Sequence, residues 1–125
     1  MQVQSPPPFT ERRRHPRFLA TLPIEYGRGE ARPKSPACAS NIGEGGCLAV
    51  LREQLRVGEK IRIKVFFAVG SILTVIGCMG RVIWFRPDPV LGKEGYFSHG
   101  LEFEGLSAED AKKLRCFLNQ FGDPA

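Results

Sequence analysis

The longest stretch of this chain without Asp, Glu, Lys or Arg runs from Val65 to Gly80, 16 residues. A helix that crosses a bilayer needs roughly 18 to 20 apolar residues, so no membrane-spanning helix is expected. The run also carries Gly70-Ser71 at its centre and many β-branched residues, and it reads as two buried strands joined by a tight turn. Clustered cysteines are missing too. Cys38, Cys47, Cys78 and Cys116 lie nine, 31 and 38 residues apart with no Cys-x-x-Cys, which fits no zinc ribbon or finger. They are expected as free thiols packed like small hydrophobes. The start, MQVQSPPPF, has no apolar segment of a secretion signal, so a reduced, cytoplasmic protein is expected. Histidine is scarce: His15 sits in a basic run, and His99 falls in a strand pattern, where a structural role is expected rather than that of a base. The glycines at 43–46 precede a strand and no Lys follows, so there is no phosphate-binding P-loop. No enzyme activity, metal or cofactor is expected.

What is present is enough apolar residue for one core and one concentrated charge. The chain has 125 residues, the length of an ordinary domain, and 42% are hydrophobic. Lys and Arg number 18 against 13 Asp and Glu, a net charge of +5, and the stretch ERRRHPRF at 11–18 supplies four arginines of that excess. Pro16 disfavours helical backbone at the residue before it, so the stretch reads as an irregular loop. Arginine offers a planar fork that grips phosphate or the O6/N7 edge of guanine, and a flat face for stacking. Residues 1–10, with Pro6 to Pro8, read as a flexible proline-rich leader, 11–121 as the folded domain and 122–125 as a short tail.

Periodicity supplies the architecture. Phe18, Ala20, Leu22, Ile24 and Tyr26 alternate with more polar positions, and Pro23 suggests an edge strand. Short strands follow at 37–40 and 47–51, separated by the turn Asn41-Ile42-Gly43-Glu44-Gly45-Gly46, whose three glycines suggest positive φ angles. Ile61, Ile63, Val65 and Phe67 alternate with Lys60, Arg62 and Lys64, the clearest half-buried strand. Strands at 72–85 and 96–103 complete a set of six. The period then changes. Ser107 with Asp110 forms a capping-box pattern, and Ala111, Leu114, Leu118 and Phe121 share one helical face. Sequential strands with short turns imply a mostly β fold, an antiparallel barrel or sandwich with a C-terminal helix over an open end or face.

Arg13-x-x-x-Arg17 ahead of the first strand, followed by Asn41-x-x-x-x-Gly46 between strands, resembles the PilZ domain family, whose pattern is RxxxR and then (D/N)xSxxG. Gly80-Arg81-Val82-Ile83-Trp84 and Gly100-Leu101-Glu102-Phe103 are similar to that family's later strands. The resemblance implies a six-stranded antiparallel β-barrel with a C-terminal α-helix that binds the bacterial second messenger cyclic di-GMP. It implies that Arg13 and Arg17 grip phosphates and guanine edges. Asn41 would hydrogen-bond a guanine, Gly46 would let the turn approach the nucleotide, and Trp84 would be a candidate aromatic wall. Arg12 extends the motif to Arg-Arg-x-x-x-Arg, which in the family goes with an intercalated ligand dimer and so implies two ligands per chain. Gly43 stands where the family has serine. Losing one neutral hydrogen bond costs about 0.5 to 1.5 kcal/mol, roughly a three- to tenfold loss of affinity, while each charge-assisted arginine contact contributes about 1.5 to 3 kcal/mol. Weakened rather than abolished binding is therefore expected.

The implied mechanism is ordering of the arginine loop over the barrel by a dianionic ligand, creating a surface that a downstream protein reads in motility or biofilm regulation. Two other readings stay open. One is a degenerate PilZ adaptor that binds a protein without nucleotide. The other is a small barrel that binds nucleic acid through its basic arm and the Lys60, Arg62, Lys64 and Phe66 face.

Overall fold

The computed structural model describes residues 21–87 and 95–120. Six strands, β1 (Leu22–Arg28), β2 (Ser35–Ser40), β3 (Gly46–Leu51), β4 (Lys60–Val69), β5 (Ile72–Pro87) and β6 (Phe97–Glu104), precede one helix, α1 (Ala108–Asn119). They form a closed barrel in the order β1-β2-β3-β6-β5-β4, with every neighbouring pair antiparallel. This is the mostly β fold that the alternation implies. Along β4 the odd positions Ile61, Ile63, Val65 and Phe67 are buried, while Lys60, Arg62 and Lys64 are exposed. The uncharged run does split into β4 and β5, turned at Gly70, whose φ is 62°.

Closure corrects the reading of Pro23. β1 pairs with β2 on one side and β4 on the other, so it is not an edge strand. Proline is tolerated because the ladder to β4 starts one residue later, at Ile24–Val65, where a missing N–H costs nothing. The part of the predicted first strand before residue 21 lies outside the described residues. A second feature absent from the pattern is a bulge in β5. Val82 faces Leu101 and Trp84 faces Gly100, which leaves Ile83 as the extra residue, half exposed on the surface.

The two barrel ends are closed differently. At one end α1 lies against β4 and β5. Ser107 caps it by accepting a hydrogen bond from the Asp110 N–H at 3.0 Å. The Asp110 carboxylate also accepts from the Gly77 N–H at 3.3 Å, which ties the helix start to β5. Twelve residues are marginal as an isolated helix, so its stability comes from docking. Leu114, Phe117 and Leu118 are the buried positions, and the Phe117 ring meets Phe67 at 4.8 Å between centroids. Phe117 was not on the predicted face, and Phe121 lies outside the described residues. Burying such side chains stabilises by about 1.5 to 3 kcal/mol each. Gln120 finishes the docking by accepting from the Gly70 N–H at 3.1 Å and donating to the Ala68 carbonyl at 3.2 Å.

At the other end the loop between β3 and β4 folds Leu55 into the core, fully buried. The Leu55 N–H donates to His99 Nε2 at 3.0 Å, so the ring proton of neutral His99 sits on Nδ1. Nδ1 is buried beside the backbone of Ala49 and Phe97 without a well-formed hydrogen bond. The loop is held from outside as well. Tyr26 donates to Glu53, and Arg28 donates to Glu53 at 2.9 Å and to both oxygens of Glu59 at 2.7 and 3.0 Å. Burial, then the Glu53 bond, pushes the Tyr26 hydroxyl up, and Arg28 holds Glu59 below the usual carboxylate range.

All four cysteines are free thiols. Cys47 is buried as expected of a small hydrophobe, but Cys38 and Cys116 are exposed. The outward phase of β2 and the solvent face of α1 put them there. Burial, with Asp110 nearby, pushes the Cys78 thiol up to about 12.

Two predictions follow from these contacts. Burial lowers the His99 pKa more than the Ala49 and Phe97 backbone, Glu59 and Glu53 together raise it. The unfolded chain therefore binds more protons below the ordinary histidine value of about 6.5. Stability is full above that pH and falls as pH drops through it toward the native pKa. Denaturant midpoints measured from pH 7.5 down to 5.5 should decline, and His99→Gln should flatten that decline; an equal slope in the variant would refute the assignment. Second, a Cβ on Gly46 would lie 2.0 Å from the Leu101 carbonyl oxygen and 3.2 Å from the Glu102 Cα. Because backbone must part, Gly46→Ala should destabilise by roughly 1 to 3 kcal/mol, read as a lower urea midpoint.

Candidate functional site

The β2–β3 turn begins at Asn41, the one non-glycine residue at positive φ among those described, at 52°. Asparagine tolerates this left-handed backbone because its short side chain bonds locally. The glycines of the turn are not at positive φ; those at positive φ are Gly29, Gly58, Gly70, Gly95 and Gly105. The handedness expected of the turn's glycines is thus carried by Asn41. The turn closes through the Gly43 N–H to the Gly46 carbonyl at 3.0 Å, and Ile42 and Gly43 are buried beneath it. The Gly45 carbonyl accepts from the Phe103 N–H at 2.8 Å. Glu44 pairs with Arg115 of α1 at 3.0 Å, so the helix braces the turn from behind. The missing Cβ of Gly46 is required by β6, which lies on it.

From this turn the outer surface of the barrel runs toward the opposite end. Pairing places Ser40 beside Leu48, Leu48 beside Gly100, and Gly100 beside Trp84, one row across four strands. Trp84 is a barrel-surface tryptophan, 38% exposed, and its indole lies across Gly100, where a Cβ would meet Nε1 at 2.2 Å. Arg86 covers the indole at 5.4 Å from the ring centroid. The next row holds Cys38, Val50, Ser98 and Arg86. Beyond it, Arg52 stacks on the Tyr96 ring at 5.3 Å. Thr21, Cys38, Ser40, Val50, Arg52 and Tyr96 line a groove of about 560 Å³.

The structure thus brings Asn41, Gly43 and Gly46 together in one turn and sets Trp84 on the same face. Arg12, Arg13 and Arg17 lie outside the described residues. Sequence reasoning missed Arg52 and Tyr96, which lie 44 positions apart in the chain. It also gave no role to Ser98, which precedes His99 directly. Strand alternation sends His99 into the barrel and Ser98 to the outer face, so the two do not form a nucleophile–base pair.

The face offered for nucleic-acid binding is neutralised in part, with Lys64 left exposed and in no ion pair among the described residues. Lys60 pairs with Glu104 at 3.1 Å, Arg81 pairs with Glu102 and Glu104, and Arg62 lies 3.9 Å from Glu30. Phe66 is half-buried. Among the described residues, no helix is long and apolar enough to cross a membrane.

Comparison with known proteins agrees with this geometry. No curated protein matches the sequence. Among solved structures, the chain superimposes on the Bacillus subtilis inhibitor of motility MotI/DgrA with a TM-score of 0.72 at 22% identity. The match covers 90% of this chain and 53% of that one, so this chain spans about half of its neighbour and shares its fold. The PilZ domain family model matches residues 11–120. With the closed barrel, the terminal helix and the Asn41 turn in place, the chain belongs to the PilZ domain family.

Proposed function

We propose that this chain is a receptor for cyclic di-GMP, without enzymatic activity, that signals by ordering its N-terminal arginine loop over the barrel for a downstream protein to read. One observation carries the reading. Thr21, where the described chain begins, and Ser40, which leads into Asn41, line the same groove. Thr21 lies four positions after Arg17, a reach of at most about 14 Å. The arginine half of the motif thus joins the described chain at Thr21, on the same groove as the residue that leads into Asn41, which supports reading the two halves as one site. A dianion with guanine edges matches arginine forks on one side and the Asn41 turn on the other. Arg12 makes two ligands per chain the stoichiometry to expect, and Trp84 extends the same face. The carboxylates that hold Lys60 and Arg81 on the β4–β5 surface argue against nucleic acid as the partner. Motility or biofilm control is the process we assign, in keeping with the neighbour's name as an inhibitor of motility; cytoplasm is the compartment where the messenger would be met.

Gly43 favours one alternative, an adaptor that docks a protein without nucleotide. Its backbone offers no obstacle to serine, since it is not at positive φ.

Titration calorimetry separates the two. The natural chain should bind cyclic di-GMP and not GTP, and Arg13→Ala/Arg17→Ala should abolish binding; absence of binding by the natural chain would leave the adaptor. Gly43→Ser should tighten binding about three- to tenfold by restoring one hydrogen bond, and an unchanged Kd would show that the turn does not use that position.

A further inference from the structure

The groove does not end at the motif. From Leu48, beside Ser40, to Arg52 is four residues of strand, roughly 13 Å. At that far end the Arg52 guanidinium lies over the Tyr96 ring, 5.3 Å from its centroid. Neighbouring Glu53 is engaged by Tyr26 and Arg28, and among the described residues no carboxylate pairs with Arg52. A cation with no acidic partner among the described residues, already set over an aromatic ring, stands at the mouth of a groove whose other walls include Cys38 and Val50. Contact with the ring restricts the guanidinium in advance, so less side-chain freedom remains to be lost when a ligand arrives. Arg52 is exposed, and a guanidinium offers a flat face to a second π-system and N–H donors at its edge to a phosphate.

We propose that Arg52 and Tyr96 form a second nucleotide-contacting platform, which holds the distal base and phosphate of a cyclic dinucleotide whose other half is bound at the Asn41 turn. This rests on the receptor reading above and adds two contacts outside its motif. The platform supplies what Gly43 leaves out. A ligand held less tightly at the turn is held again at the far end, and a mononucleotide, which reaches one end alone, gains nothing from it.

Calorimetry with cyclic di-GMP on the full chain tests it. Arg52→Ala and Tyr96→Ala should each weaken binding about tenfold. Arg52→Lys should lose most of that affinity too, because the charge stays but the plane is gone. Tyr96→Phe should bind like the natural chain, since the ring is kept. Arg52 is exposed, so its variants should unfold at the natural midpoint, and they decide the question even where Tyr96→Ala fails to fold. Unchanged Kd for the Arg52 variants, with binding by the natural chain and its loss in Arg13→Ala/Arg17→Ala, would overturn the platform and leave the receptor intact. Failure of the natural chain to bind would remove both.

Discussion

The ladder from Ile24–Val65 to Arg28–Ile61 joins the first strand to the fourth and closes the sheet on itself. Every other feature depends on that closure. A closed sheet has no free edge and two surfaces that side chains cannot exchange, because a slip of one residue would turn a whole strand inside out. The inside is filled by Ile24, Ile63, Val65, Ile76, Val82 and Leu101, all almost fully buried. The outside carries the charges, small residues and aromatics, with exposed aliphatics such as Ile72, Leu73 and Ile83.

A barrel this small still has two open ends, and each is sealed by an element that also serves the surface. α1 covers one end through Leu114, Phe117 and Leu118 while Arg115 reaches out to Glu44 and steadies the β2–β3 turn. Leu55 closes the other end while the same loop presents Arg52. The price of that second seal is a buried histidine held neutral, with one ring nitrogen poorly satisfied. Packing and site geometry are thus coupled through shared elements.

On the outer face, close approach decides the shape. Gly46 admits the backbone of β6, and Gly100 admits the Trp84 indole. β6 contributes the small residues Ser98 and Gly100 to the rows beside the groove that Ser40, Val50, Arg52 and Tyr96 line. Two arginine–aromatic pairs, Arg86 with Trp84 and Arg52 with Tyr96, stand on this face. Such a surface suits a flat, anionic ligand better than an extended polyanion, whose ionic contacts would need the cations that Glu102 and Glu104 already hold.

The amino-acid sequence by itself determined the strand set, the helix and the motif. Period-2 alternation, Gly-containing turns and the Ser107 cap are local signals, written within a few residues of where they act. The Arg-x-x-x-Arg and Asn-x-x-x-x-Gly spacing was equally legible, and it led to the family. Only the tertiary structure decided that Pro23 lies inside a closed barrel, that Phe117 rather than Ala111 carries the helix contact to Phe67, and that Asn41 rather than a glycine takes the left-handed turn position. It alone set Arg52 against Tyr96 and sent Ser98 and His99 to opposite faces. These are questions of which residues meet across strands. Closure and register answer them, and neither is encoded in any short window of the chain.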